Sequence, residues 1–200
     1  MSSSVIAIYN LALLRCGSTM LVSAVDEATN EARLCTTLYE QCRDFVLRDF
    51  PWRFAKRRVA LVQKAGTPPS SWGYQYAKPT GCLHIRCIAT PGSRTPLTEQ
   101  KIPFELAADG GGEIIYTDLA DAELIYTERV TDTTRFDPTF VSALAFNMAA
   151  ELCIPLRGKA DLAGLMRQSY SYVVSQAAAH SLGEGFEQTP DCSFLAVRNG

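Results

Sequence analysis

Apolar residues recur at Cys35, Leu38, Tyr39, Cys42, Phe45 and Val46, offsets of three, four, seven, ten and eleven that lay one stripe along a helix. Glu31, Arg33, Glu40, Arg43, Asp44 and Arg48 fall mostly off the stripe, and Asp44 precedes Arg48 by four, a helix-supporting pair. The pattern predicts one long amphipathic helix over residues 27–50, with Asp26 as its cap and Glu27 at the positive end of its dipole. Pro51 disfavours helical geometry at Phe50 and sets the stop. An aromatic and basic knot follows: Phe50, Trp52, Phe54, Lys56, Arg57 and Arg58.

Upstream, Ser3 or Ser4 caps a first helix to about Cys16, with Gly17 as its stop. Val5, Ile6, Ile8, Leu11, Leu13 and Leu14 make it apolar on nearly every face, so it is expected between other helices or against another subunit. From Arg58 the period shortens. Short alternating segments at 59–66, 72–77, 83–87, 102–106, 113–117 and 123–127 read as strands, with turns at Pro79-Thr80-Gly81, 107–112 and 118–121. Strands in series with tight turns predict an antiparallel meander. Helix returns at Asp137-Pro138, a cap and a first-turn proline, with Val141, Leu144, Ala145, Met148 and Leu152 as its stripe and Pro155 as its end. A last helix over 159–180 carries Leu162, Leu165, Met166, Ser169, Tyr170, Val173 and Ala177. The order predicts a mainly α chain with a β insertion, an α+β fold. A four-helix bundle core takes residues 1–58 and 137–182, an antiparallel β insertion residues 59–136, and an extended C-terminal tail residues 183–200.

Composition narrows the function classes. Two hundred residues, 47% hydrophobic and 20% charged, can build a core without metals or disulfides. The net charge of −2 argues against a general nucleic-acid binder, which carries a basic excess. No run reads as long and apolar enough to cross a membrane, and the N-terminus lacks the basic region and cleavage site of a signal peptide. Seven cysteines, an odd number in apolar patterns, read as reduced thiols.

Candidate chemistry is sparse. Gly110-Gly111-Gly112 has no following lysine and Ser/Thr, so it reads as a hairpin turn rather than a phosphate loop. Cys82 and Cys87 fall on opposite strand faces, unsuited to a shared metal. Cys35 and Cys42 share a helix face roughly 10 Å apart, too far for a disulfide. His84 and His180 have no nucleophile in a triad-like arrangement. Asp26 with Glu31, or Asp118 with Asp121, could flank a glycosidic bond, against the plainer reading of solvated helix-start and turn residues. Arg53, Lys56, Arg57 and Arg58 suit phosphate contact or a subunit interface, against the plainer reading of a solvated face. Trp52 and Phe54 read as packing residues that clamp the helix end. No catalytic residue, cofactor or metal is expected.

The arrangement says more than any one site. ALLRCGSTMLVS (12–23) leads into DEATNEARLCTTLYEQCRDFVLRDFPWRFAKRRVAL (26–61), followed by a W-x-Y-x-Y strand and the turn Pro79-Thr80-Gly81-Cys82-Leu83. TERVTDTTRFDPTFVSALAFNMAAELCIPLRG (127–158) then opens the second helical half. This resembles the tail tubular protein A family of short-tailed bacteriophages, the head-to-tail adaptor or gatekeeper proteins. Residues 12–61 and 126–157 match best, and 91–112 least. The P-W-x-F-A segment after a helix and the F-D-P-x-F helix start carry most of the resemblance.

The resemblance implies a non-enzymatic virion protein at the head–tail junction, assembled in the host cytoplasm. It implies a ring of about twelve subunits, closed by rotation, between the portal protein and the tail nozzle. Such a ring retains packaged double-stranded DNA without reading its sequence and forms part of the ejection channel. A neutral or acidic channel wall suits that task, because a basic one would grip phosphates. The β insertion is expected to face the nozzle or a neighbour. The tail is expected to reach the portal or an adjacent subunit through Phe186, Phe194 and Arg198. The rival expectations are a phage-associated murein hydrolase and a small DNA-binding protein.

Overall fold

The computed structural model describes residues 4–69, 72–93 and 101–183. The chain is mixed α and β, with helices at both ends and antiparallel strands between them. Helix α1 spans Val5–Arg15, and the Ser4 hydroxyl caps it by accepting from the Ala7 amide at 3.1 Å. Only one face is buried, through Ile8, Tyr9, Ala12 and Leu13, while Leu14 is 58% exposed. The all-round apolar pattern therefore exceeds what this chain alone covers.

Helix α2 spans Asn30–Asp49, three residues short of the expected start, and Thr29 rather than Asp26 is its cap. The reason is local: the Glu27 carboxylate accepts from the Ser23 amide at 2.8 Å and so braces the preceding loop. Phe50 is extended, as a residue before proline must be. Two positions, one on the stripe and one off it, depart from expectation. Phe45 is 50% exposed at the helix edge, its ring 6.2 Å from that of Tyr170. Arg43 is 4% exposed, its guanidinium held by Asp44 at 2.9 Å and lying 5.8 Å from the Tyr39 ring.

Helix α3 spans Pro138–Arg157 with Asp137 as its cap, donated to by the Thr139 amide at 2.7 Å. Pro155 sits inside its last turn instead of ending it. The end comes at Gly158, in the left-handed region at φ 62°, where the amides of Gly158 and Lys159 return to the carbonyls of Ile154 and Cys153. Helix α4 spans Ala160–Gly183 and packs along α3. Its buried line is Ala163, Met166, Tyr170 and Ala177, and Leu165 is exposed. Helix α3 touches each of the other three. This corrects the expectation that no run is long and apolar enough to cross a membrane: α3, with mean hydropathy 1.5, is so by length and composition. A helix enclosed by others needs that composition, and nine of its residues from Phe140 to Cys153 lie buried in the helical core.

Among the described residues, seven strands follow α2 and precede α3: β1 Lys56–Ala60, β2 Val62–Gln63, β3 Tyr74–Ala77, β4 Cys82–Ala89, β5 Glu105–Asp109, β6 Gly112–Thr117 and β7 Glu123–Glu128. They are antiparallel but not a meander. One sheet has the order β1-β7-β4, the other β2-β3-β6-β5, and the chain passes between sheets at Leu61, between β3 and β4, between β4 and β5, and after β6. Strand β5 begins three residues later than expected. Pro103 has no amide for a ladder, and its carbonyl accepts from the Thr117 hydroxyl at 3.0 Å instead. The glycine run does form a two-residue hairpin turn, with Asp109 opposite Gly112. The two sheets share a core of Leu61, Tyr76, Ile85, Ile115, Leu124 and Tyr126. Strand β7 is buried on both faces, so Ile125 joins Cys87 and Ala89 on the far side, while Cys82 lies in the shared core.

Candidate functional site

The junction between α2, the first sheet and the start of α3 collects most of the residues singled out from the sequence. The Trp52 indole donates to the Val46 carbonyl at 2.7 Å and folds the chain back onto the end of α2. Phe50 stacks edge-on to Trp52 at 4.9 Å, and Trp52 meets Phe140 at 5.2 Å. Phe54 lies 5.1 Å from Phe140 and 5.8 Å from Phe136, and those two rings are 4.7 Å apart. These pairs, edge-to-face except the tilted Phe54–Phe136, make one aromatic cluster from segments more than 80 residues apart in the chain. Trp52 and Phe54 are thus packing residues, as their pattern suggested.

The basic stretch is split by its local structure. Arg53 lies in a single 3-10 turn and donates to the Ser181 carbonyl at 2.7 Å, tying the junction to the end of α4. Lys56, Arg57 and Arg58 are already in β1. Arg57 pairs with Glu128 at 2.6 Å, a carboxylate that also lies 3.6 Å from Arg135. Arg58 pairs with Glu123 and donates to the Thr90 carbonyl at 3.1 Å. Glu123 and Glu128 are the first and last residues of β7, and no local signal in the sequence marks them as partners. Arg86 in β4 completes the seam, donating to the Trp52 carbonyl at 2.7 Å and the Thr127 hydroxyl at 3.0 Å. Burial lowers its guanidinium pKa.

Two concavities flank this junction. The first, about 410 Å³, has Phe50, Trp52 and Phe54 on one side and Ala177, His180 and Ser181 of α4 on the other. Asp137 and Thr139 form its edge. The second is a broader groove of about 760 Å³ between α2 and β4, where Phe45, Arg48, Leu83 and His84 are set around two engaged carboxylates. Asp44 is held between Arg43 and Arg129, at 2.9 and 2.8 Å. Asp49 accepts from the Tyr170 hydroxyl at 2.6 Å. Burial, and then Asp49, push the Tyr170 hydroxyl pKa up. Burial, then Arg48 and Arg86, hold the His84 imidazole below its usual range.

The remaining candidates are dispersed. Asp118 accepts from the Gly73 amide at 2.9 Å, and Asp121 occupies the turn before β7 with φ 52°. Asp26 is exposed and Glu31 lies in the first turn of α2. Cys16, Cys35, Cys42, Cys82, Cys87 and Cys153 are buried and unbridged. Burial raises the Cys35 and Cys42 thiols to about 12. Among the described residues, no three or more of His, Cys, Asp and Glu gather in a group that could hold a metal. Phe186, Phe194 and Arg198 lie outside the described residues. No protein-family model matches the chain, and no curated protein matches it.

Proposed function

We propose that this chain is a structural subunit of a bacteriophage head-to-tail adaptor, a ring of about twelve copies closed by heterologous contacts. The ring sits between portal and tail nozzle in the virion and is assembled in the host cytoplasm. It retains packaged DNA and lines part of the ejection channel. In this reading the four helices act as the bundle body of each subunit. The β region faces the nozzle or a neighbour, and the tail, with Phe186, Phe194 and Arg198, anchors the subunit to the portal or the next copy.

The observation that carries the reading is the meeting of the two motifs behind the family resemblance. Pro51-Trp52-Arg53-Phe54-Ala55 and Phe136-Asp137-Pro138-Thr139-Phe140 pack as one aromatic cluster, through Trp52–Phe140 at 5.2 Å and Phe54–Phe136 at 5.8 Å. Exposed apolar side chains add support: Leu14, Met20, Leu21 and Val25 at the end of α1 and in the loop after it, and Leu165 and Tyr172 on α4. Runs of exposed apolar side chains are the material of subunit contacts. The small DNA-binding reading is weakened by the pairing of Arg57 with Glu128 and Arg58 with Glu123, which offsets the charge that phosphates would use.

The test is native mass of the purified chain, alone and mixed with the cognate portal. A ring, or a stoichiometric complex with the portal, is expected. A strict monomer that ignores the portal overturns the proposal.

A further inference from the structure

The loop between α1 and α2 is fixed in place yet leaves apolar side chains exposed. The Asn10 carboxamide grips Val22, donating to its carbonyl at 2.9 Å and accepting from its amide at 2.8 Å. The Thr36 hydroxyl donates to the Val25 carbonyl at 3.2 Å, and Glu27 accepts from the Ser23 amide. Val22 is buried, while Met20, Leu21 and Val25 are exposed. Next in the chain is Asp26, an exposed carboxylate without a partner among the described residues. A braced loop of this kind, apolar with one acid at its edge, loses little freedom on docking. The groove between α2 and β4 has the converse character. Phe45 and Leu83 supply apolar lining. Arg48 lines it as well, exposed and without an acid or hydrogen-bond partner among the described residues. Asp44 is taken by Arg43 and Arg129, and Asp49 accepts from Tyr170. Three arginines, Arg43, Arg48 and Arg129, therefore stand against two aspartates, a cationic excess. The groove's volume of about 760 Å³ is that of a binding cleft, which runs from roughly 300 to 1,000 Å³.

We propose that the groove of one copy receives the 20–26 loop of a second copy, with Leu21 and Val25 against Phe45 and Leu83, and Asp26 against Arg48. The two surfaces complement each other in both respects: each exposes apolar side chains, and each holds one uncompensated charge, of opposite sign. A single copy cannot satisfy itself. Val25 is tied to Thr36 near the start of α2, and Arg48 lies twelve residues further along that helix. At 1.5 Å per residue the separation is roughly 18 Å, beyond the reach of the two side chains. Two different surfaces meet, so the contact is heterologous and repeats from copy to copy. Closure of that repeat into a ring rests on the adaptor reading, whereas the contact itself rests on the loop and the groove.

The experiment is a charge exchange on the full chain. Native mass and its concentration dependence are measured, alone and with the portal, for the wild type, for Asp26→Arg, for Arg48→Glu, for the two variants mixed in equal amounts, and for the chain carrying both. Both positions are exposed, so each variant is expected to fold, which thermal melting checks. Each single variant sets like charges against each other and is expected to weaken assembly by roughly tenfold or more. The mixture and the double variant put opposite charges at every contact and are expected to assemble again. Wild-type assembly that both single variants retain unchanged overturns the contact and leaves the adaptor reading standing. Recovery in neither the mixture nor the double variant overturns it as well. An Arg48→Glu chain that assembles normally but no longer binds the portal assigns the groove to the portal and also overturns it. A wild type that is monomeric under both conditions overturns contact and adaptor together. A dimer that the single variants disperse and the mixture restores keeps the contact and overturns the ring.

Discussion

The helical half buries its apolar surface in one continuous core, from Ile8 and Leu13 on α1 through Val46 and Leu47 on α2 to Leu144 and Met148 on α3. The β half divides the same task between a shared core around Ile115 and Leu124 and a small patch of Cys87, Ala89 and Ile125. Their polar groups differ too. In the β half, ion pairs join segments far apart in the chain, as in Arg57–Glu128, Lys64–Asp109 and Lys78–Glu113, each at 2.6 Å. In the helical half, buried polar groups are tied by neighbours close at hand or by hydrogen bonds, as Arg43 is by the adjacent Asp44 at 2.9 Å and Tyr170 by Asp49 at 2.6 Å, or left unpaired, as is the Tyr39 hydroxyl. The difference teaches where each half is vulnerable. The helical half depends on packing and on keeping its buried acids protonated. The β half depends on strand register, and its exposed ion pairs add little.

The contrast is sharpest at Phe140, fully buried at the centre of the aromatic cluster. Phe140→Ala is expected to cost about 3–5 kcal/mol, read from urea unfolding. A loss as small as that of an exposed substitution would break the claim that this cluster holds the helical half.

Alkaline pH should discriminate next. Burial raises Cys35, Cys42 and Tyr39 to about 12, from ordinary values of 9.0 for the thiols and 10.0 for the phenol. A folded pKa above the unfolded one gives stability that is complete below the unfolded value and lost as pH rises through the folded one. Stability is therefore expected to decline from about pH 9 to pH 12. Hydrogen exchange should show protection lost first in α2. A flat profile over that range would show that these groups ionise without unfolding the helical half.

Tyr39→Phe tests the unpaired hydroxyl. Removing a buried polar atom that lacks a partner is expected to leave stability unchanged or raise it by about 1 kcal/mol. A clear loss in thermal denaturation would mean that the hydroxyl is satisfied in solution. The smallest effect belongs to the β half. Glu128→Gln removes the carboxylate facing Arg57 and Arg135 and is expected to cost less than about 1 kcal/mol, and less still at high salt. A cost comparable to Phe140→Ala would erase the distinction between the halves. The same variant checks the basic stretch: a steep, salt-dependent gain in DNA affinity would show that Glu128 had masked Arg57.

The helices were largely legible from the sequence, because helical periodicity and capping are decided within a turn or two. Asp137-Pro138 marks the start of α3, and Cys35, Tyr39, Cys42 and Val46 mark the buried face of α2. The errors came where a distant group intervened or where two local signals competed. Arg43 reads as solvent-facing but is enclosed with Asp44, which Arg129 also holds. Phe45 reads as core but lies at the edge against Tyr170. Thr29 displaces Asp26 as the cap because Glu27 is engaged by the loop. Of the candidate site, the aromatic knot was legible as packing, but its partners Phe136 and Phe140 were not legible as partners.

The sequence by itself determined that this is a helix–strand–helix chain, where the main helices begin and end to within a few residues, and that the glycine run turns a hairpin. All of these follow from interactions between residues a few positions apart. Only the tertiary structure decided that the strands split into two sheets, that β7 is the buried central strand, and that Arg57 and Arg58 face Glu128 and Glu123. Those outcomes join residues 65 and 71 positions apart. No period or local propensity links such residues, and the pairing is selected only when the whole apolar surface is buried together.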